Sequence, residues 1–380
     1  MTLATDLNAL SVPVPPKQYQ QHAEYDTETG KGQGATGPVR RLVSDERELL
    51  SLAGLDPDSW RIAGKISQWT KTFHDKDDTY SFFFPFEKIT ADEDNPAAAE
   101  LAKLIRPIKP AKPGTTTGLP RVVCIADGQI GKDGPDGDHD TMEARYQEAL
   151  AHVAAIVKAQ KPSVLVIADN GDPIEGITSS APNQIATNTL EFPDQLRLWQ
   201  RRLTQTILTL APYAGRTIVA AVPSNHGEVR NTAGKVGWGD HGIGIAQTVE
   251  EAFGLLSPQS NIEFVYPETK YDVITYVDVD GTRVAFTHGH HAKGIDRMPQ
   301  WIANQAAAQR SPMGDTKIVC HGHFHQPGYT WSRGREIISC PMFDAGSPWF
   351  TNLTGEWSPA GIATFSIRDS RVHDLRFVEP

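Results

Sequence analysis

The sequence lacks any apolar run long enough to cross a lipid bilayer. Its longest apolar stretches, such as Val164–Ala168 and Thr217–Val222, are bounded by proline or by charged residues. Both are far shorter than the roughly 20 residues that span a membrane as a helix. The sequence therefore predicts no membrane segment.

Cysteine is also scarce, and the spacing of the three residues excludes two common uses. Cys124, Cys320 and Cys340 lie in apolar or strand-like stretches without a CxxC pair, so neither a disulfide framework nor a zinc ribbon is expected. The first twenty residues contain Asp6 and several prolines but no basic start followed by an apolar stretch, which is unlike a secretory signal. Together these features predict a cytoplasmic protein.

Basic residues are in the minority. The chain has 36 Lys and Arg against 46 Asp and Glu, which gives a formal net charge of −10. This balance excludes a broad basic face that would capture nucleic acid by releasing counterions. A local nucleic-acid site stays open, because carboxylates around bound metal ions are neutralised by those ions.

Composition divides the 380 residues into four parts. An opening stretch rich in Pro, Gly, Thr and Gln predicts a flexible arm, because it offers little apolar surface to offset the entropy of ordering. A helix signal followed by strand signals predicts a small N-terminal module, and prolines interleaved with lysines predict a stiff linker to the main domain. In order, the predicted parts are residues 1–40, 41–106, 107–118 and 119–380.

Strands and helices alternate at the start of the main domain. A strand at Arg121–Ala126 precedes a helix capped by Asp140 with Glu143, and strands at Val164–Ala168 and Thr217–Val222 follow. After about residue 260 the pattern consists mainly of strands. This order predicts an α/β fold in which two mixed sheets pack face to face with helices outside, a four-layer α-β-β-α sandwich.

Polar clusters follow five of these predicted strands. The carboxyl ends of strands in an α/β sheet carry its ligand-binding loops, so the clustered side chains are expected to converge. Their mixture of oxygen and imidazole donors suits Mn, Fe or Zn better than Ca. The clusters are Asp127-Gly128-Gln129, Gly171-Asp172, Asn225-His226, His288-Gly289-His290 and His321-Gly322-His323-Phe324-His325.

The order of the clusters, D-x-[HQ], G-D, N-H, H-G-H and G-H-x-H, resembles that of the calcineurin-like metallophosphoesterases. The match runs from Asp127 to His325. Each piece alone occurs by chance, whereas the complete ordered set is specific. The resemblance implies a hydrolase of phosphate esters with two divalent ions, Mn before Fe, Zn or Mg, and a hydroxide between the ions as the nucleophile.

The resemblance also assigns roles to individual residues. His226 would stand beside the scissile phosphate as the general acid, and Glu175 would orient it. Asp172 would bridge the two ions. The ligands of the first ion would be Asp127, Gln129, Asp172 and His325, and those of the second Asp172, Asn225, His288 and His323.

Two residues depart from the common pattern of the family. Gln129 stands where histidine is usual, and Ser224 stands where the third motif usually has glycine. Glutamine is a weaker ligand that binds through oxygen, so we expect a weakly held first ion and a preference for Mn. A site too weak to fill would leave a non-catalytic scaffold for protein binding, which stays an alternative.

Three further residues next to the motifs are candidate substrate contacts. Lys132 and Arg230 could meet a phosphate, although a surface cation is the commoner interpretation of each. His290 could contact substrate or support a ligand, and a plain loop histidine explains it equally well. We interpret His139 as part of a solvated loop before a helix.

The end of the chain points to one branch of the family. Ser339–Phe350, followed by two strands, resembles the continuation in Mre11/SbcD-like DNA nucleases, and similar chains occur in phages. This implies a DNA exonuclease or endonuclease of repair or replication, in a bacterial or phage-infected cell. Whether it forms a homodimer or needs an ATPase partner is open at this point.

Other substrates and another use of the N-terminal module are also open. The negative net charge favours a phosphatase or a small-molecule or cyclic-nucleotide phosphodiesterase as the alternative activity. The aromatic residues of the module, including Trp60, Trp69 and Phe82–Phe86, could stack on single-stranded bases. Core packing is the commoner interpretation of these residues.

Overall fold

A computed structural model describes most of the chain. By their contacts, the residues fall into two units, Met1–Pro96 and Ala97–Pro380. No helix in the described part is long and apolar enough to span a membrane. The described residues are 16–26, 29–57, 59–73, 76–88, 95–105, 108, 115–177, 188–230, 237–256, 261–308, 312–344, 346, 351–352, 355 and 357–380.

The first unit is an antiparallel sheet with one short helix, α1 (Glu46–Leu52). The sheet has the order β1-β2-β5-β3, and β4 also pairs with β5. Its strands are β1 (His22–Tyr25), β2 (Lys31–Ala35), β3 (Trp60–Ile62), β4 (Ser67–Phe73) and β5 (Lys76–Lys88).

The core of this unit lies between α1 and one face of β5. Because side chains alternate between the faces of a strand, Phe82, Phe84 and Phe86 all point to the same side and are buried together with Leu49. Asp45 caps the start of the helix, since its carboxylate accepts a hydrogen bond from the backbone N–H of Arg47 at 3.0 Å. These three phenylalanines are therefore core residues of the unit.

Part of the predicted flexible arm forms two β-strands. Within residues 1–40, both β1 and β2 form, and β2 pairs with β5; residues 1–15 of the arm lie outside the described part. A Cβ atom on Gly32 would lie 2.8 Å from the ring of Phe86, so glycine lets the strand pass close to this aromatic side chain. The apolar surface comes from β5, which composition within the arm could not indicate.

The second unit contains two larger sheets and a short hairpin. The first sheet has the order β11-β8-β7-β6-β17-β18, and the second has the order β12-β13-β14-β16-β15. The strands are β6 (Arg121–Ile125), β7 (Val164–Asp169), β8 (Arg216–Ala221), β9 (Glu228–Arg230), β10 (Gly237–Asp240), β11 (Ile262–Val265), β12 (Ile274–Val279), β13 (Thr282–Thr287), β14 (Ile318–His321), β15 (Gly328–Ser332), β16 (Arg335–Ser339), β17 (Ile362–Arg368) and β18 (Arg371–Val378).

Five helices accompany these sheets in the described part of the unit. Four of them, α2 to α5, share a buried core with β6, β7 and β8. The last helix, α6, shares a separate core with β13 and β14 of the second sheet. The helices are α2 (Pro96–Ala102), α3 (His139–Gln160), α4 (Phe192–Leu210), α5 (His241–Leu256) and α6 (Met298–Ala307).

A third core joins the two sheets to each other. Val166 and Ala220 of the first sheet lie in it together with Phe286 and Ile338 of the second. Strands covered on both faces read as continuous apolar runs, which is why the sequence revealed β7 and β8 so clearly. The mixed α/β architecture with two sheets is therefore as predicted.

Parallel pairing decides where the polar clusters lie. Strands β6, β7 and β8 run parallel to one another in the first sheet. In the second sheet β13, β14 and β16 are also parallel. Within each sheet the loops that follow these strands consequently emerge at the same edge.

By its contacts this unit begins at Ala97, and α2 buries Ala98 and Leu101 in its core. Two details of the unit differ from the sequence-based expectations. Helix α3 is capped by Asp138, whose carboxylate accepts from the N–H of Thr141 at 3.0 Å, and not by Asp140. Strand β15 had not been predicted, and most of the predicted linker lies outside the described residues.

Candidate metal centre

The predicted ligands lie on sharply turned backbone. Positive φ angles are costly for residues other than glycine and concentrate at functional sites. Five of the seven predicted ligands have them, which means that the surrounding structure holds these side chains in place at a conformational cost. They are Asp127 (φ 52°), Gln129 (φ 37°), Asp172 (φ 50°), His323 (φ 72°) and His325 (φ 59°).

Backbone hydrogen bonds join the loops that carry these ligands. The N–H of Asp127 donates to the carbonyl of Gly171, and the N–H of Gln129 donates to that of Asp172, both at 2.9 Å. The N–H of His323 donates to the two carboxylate oxygens of Asp127 at 3.2 and 2.9 Å. A Cβ atom on Gly322 would lie 2.5 Å from that carboxylate, so only glycine permits this approach. The three loops are thus tied together around Asp127.

Three predicted ligands of the second ion converge. One potential donor atom each from Asp172, His288 and His323 lies within 4.8 Å of the others. The Nε2 atom of His288 is 2.9 Å from Asp172 Oδ2 and 2.9 Å from Asn225 Oδ1. Its Nδ1 atom lies 2.9 Å from the carbonyl oxygen of Asn170. A carbonyl that accepts the Nδ1 proton leaves Nε2 free to bind a metal.

Burial and neighbouring charges shift the pKa values of His288 and of the groups around it. Burial lowers the pKa of His288, but the attraction of Asp172 outweighs it and raises the pKa to about 9. Burial of the Asp172 carboxyl raises its pKa, yet His288 and His226 hold it well below the usual range. The pKa of His323 is lowered to about 4, chiefly by burial. A buried carboxylate beside imidazoles is a donor set that fits a borderline divalent cation.

The first-ion side, formed by the proposed ligands Asp127, Gln129 and His325, is supported by charged side chains. His325 Nε2 lies 3.2 Å from Asp127 Oδ1, and His325 Nδ1 lies 3.5 Å from Asp344 Oδ2. The ammonium group of Lys132 donates to Gln129 Oε1 at 3.0 Å and to the carboxylate of Asp344. Burial raises the pKa of Asp344, but the charges of His325 and Lys132 bring it below the ordinary value.

His226 is positioned from both sides. Its backbone N–H donates to Asp172 Oδ1 at 2.8 Å. Its Nδ1 atom lies 2.8 Å from the carbonyl oxygen of Glu175 and 3.4 Å from the Glu175 carboxylate. Burial lowers the pKa of His226, but the charges of Asp172 and Glu175 raise it to about 9. In the metal-free protein these charges favour the protonated imidazole, the form that can donate a proton.

Two buried carboxylates at the site had not been singled out from the sequence. Asp169, at the end of β7, accepts hydrogen bonds from the indole N–H of Trp199 at 2.7 Å and from the N–H of Gly171 at 3.1 Å. Burial raises its pKa to about 6. Its place two residues before Gly171 of the G-D motif could have revealed it, whereas Asp344 follows an apolar stretch with no local motif.

The structure describes the three predicted substrate contacts to different extents. His290 Nδ1 is buried and has no hydrogen-bond partner among the described residues, and the His290 ring centroid lies 5.4 Å from that of His288. The backbone of Arg230 belongs to β9, but its side chain lies outside the described part. Lys132 is the contact already placed beside Gln129, and Ser224 donates its N–H to Asp240 at 2.9 Å.

No family model and no curated protein sequence matches the chain. Solved structures that it is similar to include an archaeal phosphodiesterase, with 13% identity over 68% of this chain and 99% of that one and a TM-score of 0.32. Another is Vps29 from Entamoeba histolytica in complex with zinc, with 10% identity over 66% and 88% and a TM-score of 0.31. A predicted phosphoesterase from Streptococcus pneumoniae has 9% identity over 66% and 85% and a TM-score of 0.28. These similarities are remote.

Proposed function

The chain resembles the calcineurin-like metallophosphoesterases, and we propose that it is a metal-dependent phosphoesterase whose substrate is a phosphodiester. One observation carries the proposal. Donor atoms of Asp172, His288 and His323 meet within 4.8 Å, and Asp172 also accepts a hydrogen bond from the backbone N–H of His226. A ligand set and a proton donor that share one carboxylate fit hydrolysis of a phosphate ester.

The residues present fit two divalent ions, with Mn as the proposed metal. Bound ions would supply Lewis-acid polarisation of the phosphate and would lower the pKa of water. Buried oxygen donors alternate with imidazole nitrogens, which suits Mn, Fe or Zn. The first ion would be held by Asp127, Gln129, Asp172 and His325, and the second by Asp172, Asn225, His288 and His323.

His226 would act as the general acid. Its Nδ1 atom is held by Glu175, and its Nε2 atom lies 3.8 Å from Asp172 Oδ2 at the proposed ligand cluster. The neighbouring Glu175 carboxylate favours the protonated ring, the form that can give its proton to the leaving oxygen. Glu175 keeps the ring oriented, so it is a positioning residue.

We propose DNA as the substrate and an Mre11/SbcD-like nuclease as the branch. The first unit offers a surface for stacking on bases, since Tyr25 is 50% exposed and its ring centroid lies 4.5 Å from that of Trp60. A four-layer arrangement of the second unit belongs to the same proposal, and three separate cores support it. The bacterial or phage setting, the role in repair or replication, and a homodimer or ATPase partner stay predictions.

One observation favours a second candidate, a phosphatase or a small-molecule phosphodiesterase. The net charge of −10 works against binding a long polyanion. A small phosphate ester would need only the contacts at the metal centre, where bound cations dominate the local charge.

The test is a time course with end-labelled linear duplex and single-stranded DNA in Mn, beside a small chromogenic phosphodiester. Wild type is compared with His226→Ala and with a chelator control; His152→Ala, an exposed histidine on α3, is the matched variant. Shortening of the DNA that disappears with His226→Ala and with chelator, but not with His152→Ala, would support the nuclease. Intact DNA with cleavage of the small diester would favour the second candidate. If metal-loaded protein cleaved neither the DNA nor the small diester, both candidates would be contradicted.

A further inference from the structure

We infer that Lys132 is a resident cation on the first-ion side, so that the protein binds one divalent ion tightly and a second one only weakly. The inference rests on the proposed metal centre and concerns how many ions it holds. The amide of glutamine can bind a metal only through Oε1, because its nitrogen is a donor of hydrogen bonds. In this structure Oε1 accepts a hydrogen bond from the Lys132 ammonium at 3.0 Å.

The ammonium group is anchored and not a mobile surface charge. The side chain of Lys132 is 13% exposed, and that of Asp344, to which it donates, is fully buried. Removing either partner of such a pair leaves a buried charge without compensation. Asp344 also accepts from the N–H of Gly346 at 3.0 Å, which holds the carboxylate in place. Lys132 therefore remains beside Gln129.

The same carboxylate links the lysine to a second proposed ligand. Asp344 Oδ2 lies 3.5 Å from His325 Nδ1, while His325 Nε2 lies 3.2 Å from Asp127. A carboxylate on the far nitrogen of a ligating histidine orients the ring. Lys132 and Asp344 thus contact two proposed ligands of the first ion, the amide of Gln129 and the imidazole of His325.

Among the described side chains, no lysine or arginine hydrogen bonds to the proposed ligands of the second ion, and the charged neighbour of Asp172 there is the titratable ring of His226. There His288 is held by the backbone carbonyl of Asn170, and the donors of Asp172, His288 and His323 form the one cluster of three acid, thiol or imidazole groups within the described residues. An ion bound through Gln129 Oε1 would share this oxygen with an ammonium group, and repulsion between the two cations would weaken binding. The two sides should therefore differ in affinity.

The test uses Mn alone as the probe and needs no turnover. Binding is measured by titration calorimetry and by paramagnetic resonance, in which a close pair of Mn ions gives a spin-coupled signal. Wild type should bind one Mn tightly and a second one weakly. Lys132→Met should strengthen the second binding step roughly 10–100-fold, the range over which partners of metal ligands change affinity. Lys132→Arg keeps the charge and should resemble wild type, as should Lys158→Met on the exposed face of α3.

Two tight, equivalent ions in wild type, or no change in Lys132→Met, would overturn the inference. If neither wild type nor any variant bound Mn, the proposed metal centre itself would fail. If Lys132→Met did not fold, the comparison would pass to Asp344→Asn against the double variant Lys132→Met/Asp344→Asn. These two differ only in the ammonium group, so the double variant should bind the second Mn more tightly, and equal affinities would contradict the role given to Lys132.

Discussion

The two sides of the candidate metal centre share Asp172 but are supported by different means. On the second-ion side, His288 is fixed by a backbone carbonyl, that of Asn170. On the first-ion side, Gln129 and His325 are fixed by the charged side chains of Lys132 and Asp344. Backbone support adds no net charge, whereas support by an ion pair places a cation next to a ligand. On the inference that Lys132 repels a bound ion, the comparison predicts that the two ligand sets differ in their affinity for a metal ion.

Asp172→Asn should have the largest effect, because it alters both sides at once. Asparagine keeps the shape of aspartate but removes the charge that faces His288 Nε2 at 2.9 Å. We expect Mn affinity and phosphodiesterase activity to fall by more than roughly 100-fold, beyond the range known for residues that only support a ligand. Titration calorimetry and hydrolysis of a small chromogenic diester measure the two losses.

Asp133→Asn is the control for Asp172→Asn, because Asp133 is exposed and the charge change is the same. This variant should bind and hydrolyse as wild type does. If Asp172→Asn weakened only one of two Mn binding steps, Asp172 would not be shared, and the two sides would be independent sites.

Asp344→Asn should have a smaller effect, confined to the first-ion side. It removes the partner of Lys132 and the carboxylate beside His325 Nδ1. We expect the weaker Mn binding step to lose a further roughly 10–100-fold, with the tighter step unchanged. The lysine left without its counter-charge should also lower the melting temperature of the metal-free protein.

Equal weakening of both Mn binding steps in Asp344→Asn would contradict the expectation that Asp344 supports only the first-ion side. Asp315→Asn serves as its control, since Asp315 is an exposed residue on the same unit. Its binding curves should overlay those of wild type.

The candidate ligands could be singled out from the sequence because they follow buried strands. Strand β7 has no exposed residue, and Gly171 and Asp172 follow it almost directly, so a polar pair stands out against an apolar run. The same contrast marks His323 and His325 after β14. Such ligands are recognisable wherever a parallel sheet is covered on both faces.

Lys132 and Asp344 could not be paired from the sequence because 212 residues separate them. Only the pairing of β14 with β16 brings the end of β16 back towards the ligands. A lysine near a motif has many interpretations, among them a surface charge or a phosphate contact. The register of distant strands, which no local pattern contains, decides between them.

Local sequence patterns also gave limited information about where helices begin and about strands near the edges of sheets. The strand β2 contains Gly32 and Gly34, so its composition resembles that of a loop, and its stability derives from pairing with β5. The cap of α3 moved from Asp140 to Asp138, because two nearby aspartates offer equivalent caps to a sequence pattern. Edge strand β15 was missed for a related reason, since Tyr329 and Trp331 are half exposed and give no core signal.

Glu175→Gln should have the smallest effect, a shift in pH dependence. The carboxylate of Glu175, 3.4 Å from His226 Nδ1, helps to raise the pKa of His226 to about 9, while the carbonyl at 2.8 Å stays in the variant. Activity that needs protonated His226 falls as pH rises through the pKa that this histidine has in the metal-loaded protein. In Glu175→Gln we expect the alkaline fall of kcat/KM to begin at a lower pH, with Glu148→Gln, exposed on α3, unchanged.

The same substitution predicts a change in stability with a definite sign. A histidine whose pKa is raised on folding contributes stability that is fully present below its unfolded pKa of about 6.5 and is lost as pH rises through about 9. Metal-free Glu175→Gln should therefore lose stability relative to wild type at pH 7, and the difference should shrink towards pH 10. Denaturant titrations at both values, with NMR titration of His226, measure it. An unmoved alkaline limb together with a lowered His226 pKa would mean that another group limits activity at high pH, and that His226 is not the acid.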